Sequence, residues 1–319
     1  MFRTIRINDG ALEVFEGVNH ALPPADGEMC WIDLQLSDQA DLDILQKRFG
    51  FHPLATEDCA KSNQRAKLDE YENHLFLVTH SMSLTEHSRH GIKTTELDAF
   101  LGSHYLITIH REPIPGLDLV WKRTAADPSC GAHGMDYIYY LIVDEFADEV
   151  FPLLDLVSDQ LEEVEAAILK RVDSRELSQL MRLKRWLISM RRVLSPERDM
   201  LAIMLRRGDP RISEKTSLYF RDVYDHVVRA YEQIDVERDL LGNAMDAYLA
   251  MMANRSTVIM KQLTLLASIF LPLTFLTGFF GQNFSALPFD SKWLFYLEIG
   301  SCLALPVVMF VWFRRSGWL

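Results

Sequence analysis

Residues 277–289 read TGFFGQNFSALPF and sit between two long apolar stretches near the C-terminus. From Gln262 to Pro288 no side chain is charged, and from Trp293 to Phe313 only Glu298 interrupts an apolar run. About 20 apolar residues in a helix cover the roughly 30 Å of a bilayer's hydrocarbon, so each stretch is long enough to cross. The amides of Gln282 and Asn283 then fall where a first span ends, and this turn decides how the rest of the chain is read.

A mean hydropathy of -0.01 over 319 residues suggests a soluble protein, because the apolar runs are confined to the last fifth of the chain. The opening residues, MFRTIRINDGALEVFEG, carry neither an apolar segment nor a small-residue cleavage pattern. No secretory signal is expected, and the large N-terminal part should stay inside. Arg255 and Lys261 precede the first span and Arg314 and Arg315 close the second, whereas the connecting loop offers Lys292 against Asp290. This bias places both termini in the cytoplasm. The four cysteines (30, 59, 130 and 302) form no CxxC pair, so reduced thiols are expected rather than a zinc ribbon or disulfide framework. A net charge of -12 argues against nucleic-acid binding and for cationic partners. With no phosphate loop, nucleophile elbow or HExxH helix, an enzyme is not expected.

Strand-like pieces MCWIDLQL, HLFLVTHSMSL and AFLGSHYLITIH alternate with helical stretches such as DQADLDILQKRFG, which predicts an N-terminal α/β cytoplasmic domain over residues 1–130. HREPIPGLDLVWKRTAADPSCGAHG reads as a linker from its Pro and Gly content. Residues 131–256 read as a helical cytoplasmic domain with a long stalk helix, and 257–319 as a two-helix transmembrane domain. An acidic run with nine carboxylates from Asp144 to Glu165 precedes the basic SRELSQLMRLKRWLISMRRVL, a pairing suited to an antiparallel helical hairpin. From about Ser213 to Phe280 the pattern predicts one helix that leaves the cytoplasmic domain and becomes the first span, with Pro272 as its one proline.

Two helices cannot enclose a path for an ion, so conduction requires a ring of identical chains. On the first span Met260, Thr264, Ala267, Leu271, Thr274 and Gly278 recur at three and four, a stripe that either lines such a path or packs against another helix. At its end Gly281 is expected to take the left-handed conformation that terminates a helix, turning the Asn283 amide toward the axis. A ring of amide oxygens can hydrogen-bond the water shell of Mg²⁺, which dehydrates reluctantly. The plain alternative is a polar turn among lipid headgroups. Glu298 is the one ionisable group within a span, either an intramembrane proton or ion site or a carboxylate snorkelling to the outer interface. His87 and His90 form a close pair beside carboxylates in a surface loop, suited to weak metal binding or to plain surface polarity.

WIDL (31–34), FGFHPLATED (49–58), RAKLDEYENHLFLV (65–78), YFRDVYDHV (219–227) and TGFFGQNF followed by a proline occur in order along nearly the whole chain. On these motifs the sequence resembles the CorA-like divalent-cation transporters, the two-transmembrane GxN family that includes a ZntB-like branch. The resemblance implies a funnel-shaped homopentamer in the bacterial inner membrane, moving Mg²⁺, Co²⁺, Ni²⁺ or Zn²⁺ as substrate, with no tightly bound cofactor. It assigns the selectivity filter to Gly281, Gln282 and Asn283 and the pore lining to Met260, Leu263, Leu271, Thr274 and Gly278. It also implies regulatory metal on the stalk helix, at Asp246 first and Asp222 second, with the partner carboxylate of the N-terminal domain unassigned. The sequence departs from the family at Gln282, where methionine or an aliphatic residue is usual, and in lacking an acid soon after the proline. These departures point to the alternative of a membrane-anchored scaffold or regulator that keeps the ring without conducting.

Overall fold

The computed structural model describes residues 1–8, 10–85, 91–127, 130, 133–170, 173–282 and 291–318. They divide into two compact units, Met1–Met245 and Asp246–Leu319.

The first unit is built on a seven-stranded sheet. Its strands are β1 (Phe2–Asn8), β2 (Ala11–Glu16), β3 (Met29–Gln35), β4 (Lys67–Glu70), β5 (Leu75–Leu84), β6 (Ile92–Leu101) and β7 (Tyr105–His110). They lie in the order β2-β1-β3-β7-β6-β5-β4. Only β3 and β7 pair in parallel, with Trp31 opposite Leu106 and Asp33 opposite Thr108. Residues 30–34 of β3 are all buried, the signature of a central strand covered on both faces. Helix α1 (Gln39–Phe49) begins where the Asp38 carboxylate accepts from the Ala40 N–H and ends at Gly50, whose φ of 68° relieves the left-handed turn. Helix α2 (Pro53–Lys61) starts on Pro53, a residue pre-set for a first turn. Leu42, Leu45, Ala55 and Cys59 of these helices close over Ile32, Phe76, Phe100 and Ile107 of the sheet. All four cysteines are free, and Cys30, Cys59 and Cys130 are buried.

One expectation is corrected here. The stretch that reads as a linker contains helix α3 (Pro115–Ala126). Pro115 stands at its first turn and does not interrupt it, and Leu117, Val120, Trp121 and Thr124 recur at three and four to bury one face.

Helices α4 (Met135–Asp148), α5 (Val150–Lys170) and α6 (Ser174–Arg207) follow. Helix α5 buries Val157, Leu161, Val164 and Ile168, and α6 buries Leu180, Leu183 and Leu187. Arg182 donates to Gln160 across the two helices at 3.2 Å, a register that runs them antiparallel. A capping box between Asp173 and Glu176 starts α6, and Gly208 at φ 62° ends it. Helix α7 (Glu214–Phe280) is continuous for 67 residues, as the sequence predicts. The second unit contains the end of α7 and helix α8 (Lys292–Arg315), and both helices are long and apolar enough to cross a membrane.

Candidate functional site

Each residue of a helix turns by about 100°, so one face of α7 can be read from exposure. Leu265, Ile269, Pro272 and Leu276 are half-buried, whereas Met260, Leu263, Thr264, Ala267, Leu271, Thr274 and Gly278 are exposed. The two sets lie on opposite sides of the helix, and Leu271 is 74% exposed. The stripe residues share one exposed side of α7, and Leu266, Phe270 and Phe275 around them are exposed as well. Thr274 Oγ1 donates to the Phe270 carbonyl at 2.8 Å and Thr277 Oγ1 to that of Leu273 at 3.0 Å, so these hydroxyls spend their protons on the helix itself. Their lone pairs remain available to a solvated ion. A Cβ built on Gly278 meets nothing within 4 Å. Met260 and Thr264 also share a shallow pocket with Ser316, Gly317 and Trp318.

The end of α7 differs from the expectation at Gly281. Its φ lies outside the left-handed range, and its N–H donates to the Thr277 carbonyl at 3.0 Å, prolonging the helix by one bond. Gln282 N–H then donates to the Phe279 carbonyl at 3.3 Å, a tighter last turn. A Cβ here would stand 3.1 Å from the Thr277 oxygen, a tight contact that a larger residue meets only with a small shift of the turn. Gln282 is exposed. Asn283 lies outside the described residues, as do His87 and His90.

Of the stalk carboxylates, Asp246 is exposed. Asp222 belongs to a cluster joining α7 to α4. Its carboxylate is 3.9 Å from His226 Nε2, and the Asp148 carboxylate is 3.6 Å from His226 Nδ1. Tyr140 Oη donates to Asp144 at 3.3 Å, and burial, followed by the neighbouring Asp148 carboxylate, raises the Asp144 carboxyl above its ordinary value. Among the described residues no three His, Cys, Asp or Glu side chains converge as a metal set. Sequence reading missed His226, Asp148 and Asp144. The available signal was spacing: Asp222 and His226, like Asp144 and Asp148, stand four apart and share a helix face. Glu298 is half-exposed on α8.

Residues 26–315 match the family model described as CorA-like Mg²⁺ transporter protein. YfjQ of Bacillus subtilis, provisionally named a metal ion transporter, is 33% identical over 90% of this chain and 89% of its own length. The cobalt/magnesium transport protein CorA of Thermotoga maritima is 30% identical, over 85% of this chain and 78% of its own. The solved CorA magnesium transporter of Methanocaldococcus jannaschii superposes with a TM-score of 0.86, covering 99% of this chain and 98% of that one at 22% identity, a likeness of fold.

Proposed function

The chain belongs to the CorA-like Mg²⁺ transporter family, and on that basis we propose that it carries divalent metal cations across the inner membrane through a homopentameric pore. The observation that carries the reading is α7. One uninterrupted helix bears an exposed stripe from Met260 to Gly278 and leads directly into the GQN turn. In a closed ring each stripe residue becomes a ring of identical groups. Leu271 and Met260 then act as apolar constrictions that exclude water until the helices part, and Thr274 offers hydroxyl oxygens about one turn beyond Leu271.

At the external mouth Asn283 provides the filter, with Gly281 allowing the turn and Gln282 beside it. Amide oxygens carry no net charge and accept hydrogen bonds from metal-bound water, so a hydrated Mg²⁺ is held without being stripped. Co²⁺ and Ni²⁺ share its hydrated form. Zn²⁺ prefers nitrogen and sulfur ligands, and the spans hold only Cys302 of that kind. Mg²⁺ is therefore the first substrate to test. Asp246, and Asp222 after it, bind cytoplasmic metal as regulators, and Glu298 is the site at which a proton would couple.

Flux of each ion into liposomes, wild type against Asn283→Ala, tests the proposal. Saturable Mg²⁺ flux that falls at least about tenfold in the variant, the scale of one lost polar contact, supports it. Background flux in both proteins would instead favour the non-conducting ring, the reading to which Gln282 and the lone external acid Asp290 point.

A further inference from the structure

Glu197 on α6 is a carboxyl inside the first unit, 7% exposed, and its Oε1 accepts from the His80 backbone N–H at 2.7 Å. The reason lies in the sheet. Strand β4 pairs with β5 only as far as Lys67 opposite Val78, so the amide of His80 has no strand partner on that side. A helix side chain takes the strand's place. One residue further along β5, Ser81 Oγ donates to Glu149 at 2.7 Å, so two carboxyls from the helical layer grip neighbouring residues of one strand.

The surroundings of this grip are poor in positive charge. The His80 ring lies with Nδ1 3.9 Å from Glu197 Oε1 and Nε2 3.1 Å from the Gln64 carbonyl, and Glu96 of β6 is 3.9 Å from Nε2. Tyr139 of α4 is a further titratable neighbour, and burial, followed by the Glu197 charge, raises its phenol. Of the nearby arginines, Arg198 pairs with Asp199 and sits over Tyr231, Arg111 donates to the Ala60 carbonyl, and Arg65 and Arg192 are exposed residues on the rim of a cleft. That cleft, about 400 Å³, is lined by His80, Gln64, Glu96, Ser189 and Val193 and gives protons a route to the ring.

We propose that Glu197 and His80 form a proton-operated latch that holds α6 on β5, closed while the carboxyl is neutral and released when it ionises. A neutral carboxyl accepts the His80 N–H at no charge cost, whereas a carboxylate there is buried and no lysine or arginine among the described residues pairs with it. Burial pushes the Glu197 carboxyl up to about 8 against the pull of the His80 N–H, and burial also lowers the His80 imidazole, which stays uncharged beside it. Glu149 and Glu96 are raised for the same first reason, burial. A carboxyl whose folded value lies above its ordinary 4.5 contributes stability that is complete at low pH and is lost as pH rises through about 8. The latch thus loosens as pH rises above about 4.5, is fully released by about 8, and is independent of what the pore carries.

Hydrogen exchange of the full chain in detergent micelles tests this, with rates corrected for intrinsic base catalysis. Wild-type protection over β5 and α6 should fall as pH rises from about 4.5, by up to about tenfold per pH unit, and level off above about 8. Glu197→Gln keeps the accepting oxygen and cannot ionise, so its protection should stay level between about pH 4.5 and 8. Flat wild-type protection over that range overturns the latch without reference to any variant. An equal fall in wild type and Glu197→Gln overturns it as well.

Discussion

At the scale of single residues, the motif WIDL acquires a physical reason. Trp31 Nε1 donates to Thr108 Oγ1 at 3.0 Å, Thr108 Oγ1 donates to Asp33 at 2.5 Å, and Arg3 Nε reaches the same carboxylate at 2.7 Å. His110 Nε2 lies 3.4 Å away. Burial by itself would raise the Asp33 carboxyl, and His110, Arg3 and Thr108 together more than reverse it, leaving it below the ordinary value. His110 is held above its ordinary value: burial opposes the proton, and the Asp33 carboxylate beside it wins. The signs define a window. The Asp33 contribution is present above the ordinary carboxyl range and lost as pH falls through its depressed value, whereas that of His110 is present below about 6.5 and lost as pH rises through its raised one. Asp33→Asn removes a buried charge from its partners and should cost about 3–5 kcal/mol, read as a lower thermal midpoint of the detergent-solubilised chain. The variant should also lose most of the wild type's drop in stability on acidification. Trp31 and Asp33 were visible in the sequence as part of a motif. Their partners were not, because Thr108 and His110 lie about 75 residues away and meet them only through the one parallel pairing of the sheet.

At the scale of elements, legibility followed periodicity and failed where punctuation misled. Helix α7 was readable because 58 residues pass before Pro272, with no other break that the pattern could not carry. Helix α3 was missed because Pro113, Pro115 and Gly116 look like a loop, although proline at a first turn starts helices as well as it ends them. Gly116 has its own reason: a Cβ there would stand 2.6 Å from Glu149 Oε1. Gly116→Ala should push the Glu149 carboxyl off Ser81 and cost about 1–3 kcal/mol, the range for a buried acceptor that loses its donor, with the thermal midpoint as readout. The two faces of α7 make a second prediction. In a background without native cysteines, Leu271→Cys should react with a charged aqueous thiol reagent at least about tenfold faster than Ile269→Cys, because the two positions lie about 160° apart around the helix. Equal rates would remove Leu271 from the pore lining. Gly281 is a mixed case: it follows the last residue of α7, Phe280, but its backbone is not left-handed, and its N–H instead continues the helix pattern to the Thr277 carbonyl.

At the scale of the whole molecule, two spans and an acidic body have to act together. A chain with net charge -12 gathers cations at its surface, and any sensor built from its carboxylates reports their concentration. Asp246, exposed on α7, is the residue proposed for that role. A metal shared between such an aspartate and a neighbouring subunit would bind only the arrangement that brings the carboxylates together. By linkage it shifts the ring toward that state by its differential affinity and no more. If the bound state is the closed one, cytoplasmic Mg²⁺ inhibits its own entry. Asp246→Asn keeps size and polarity but removes the charge, so the Mg²⁺ concentration that halves flux should rise about tenfold, a coupling of about 1.4 kcal/mol. Flux in Mg²⁺-free liposomes should be unchanged, and the particle should keep the wild-type mass. An unchanged half-inhibiting concentration with intact assembly would take Asp246 out of the sensor while leaving the Asn283 pore standing, because the two sites fail by separate measurements.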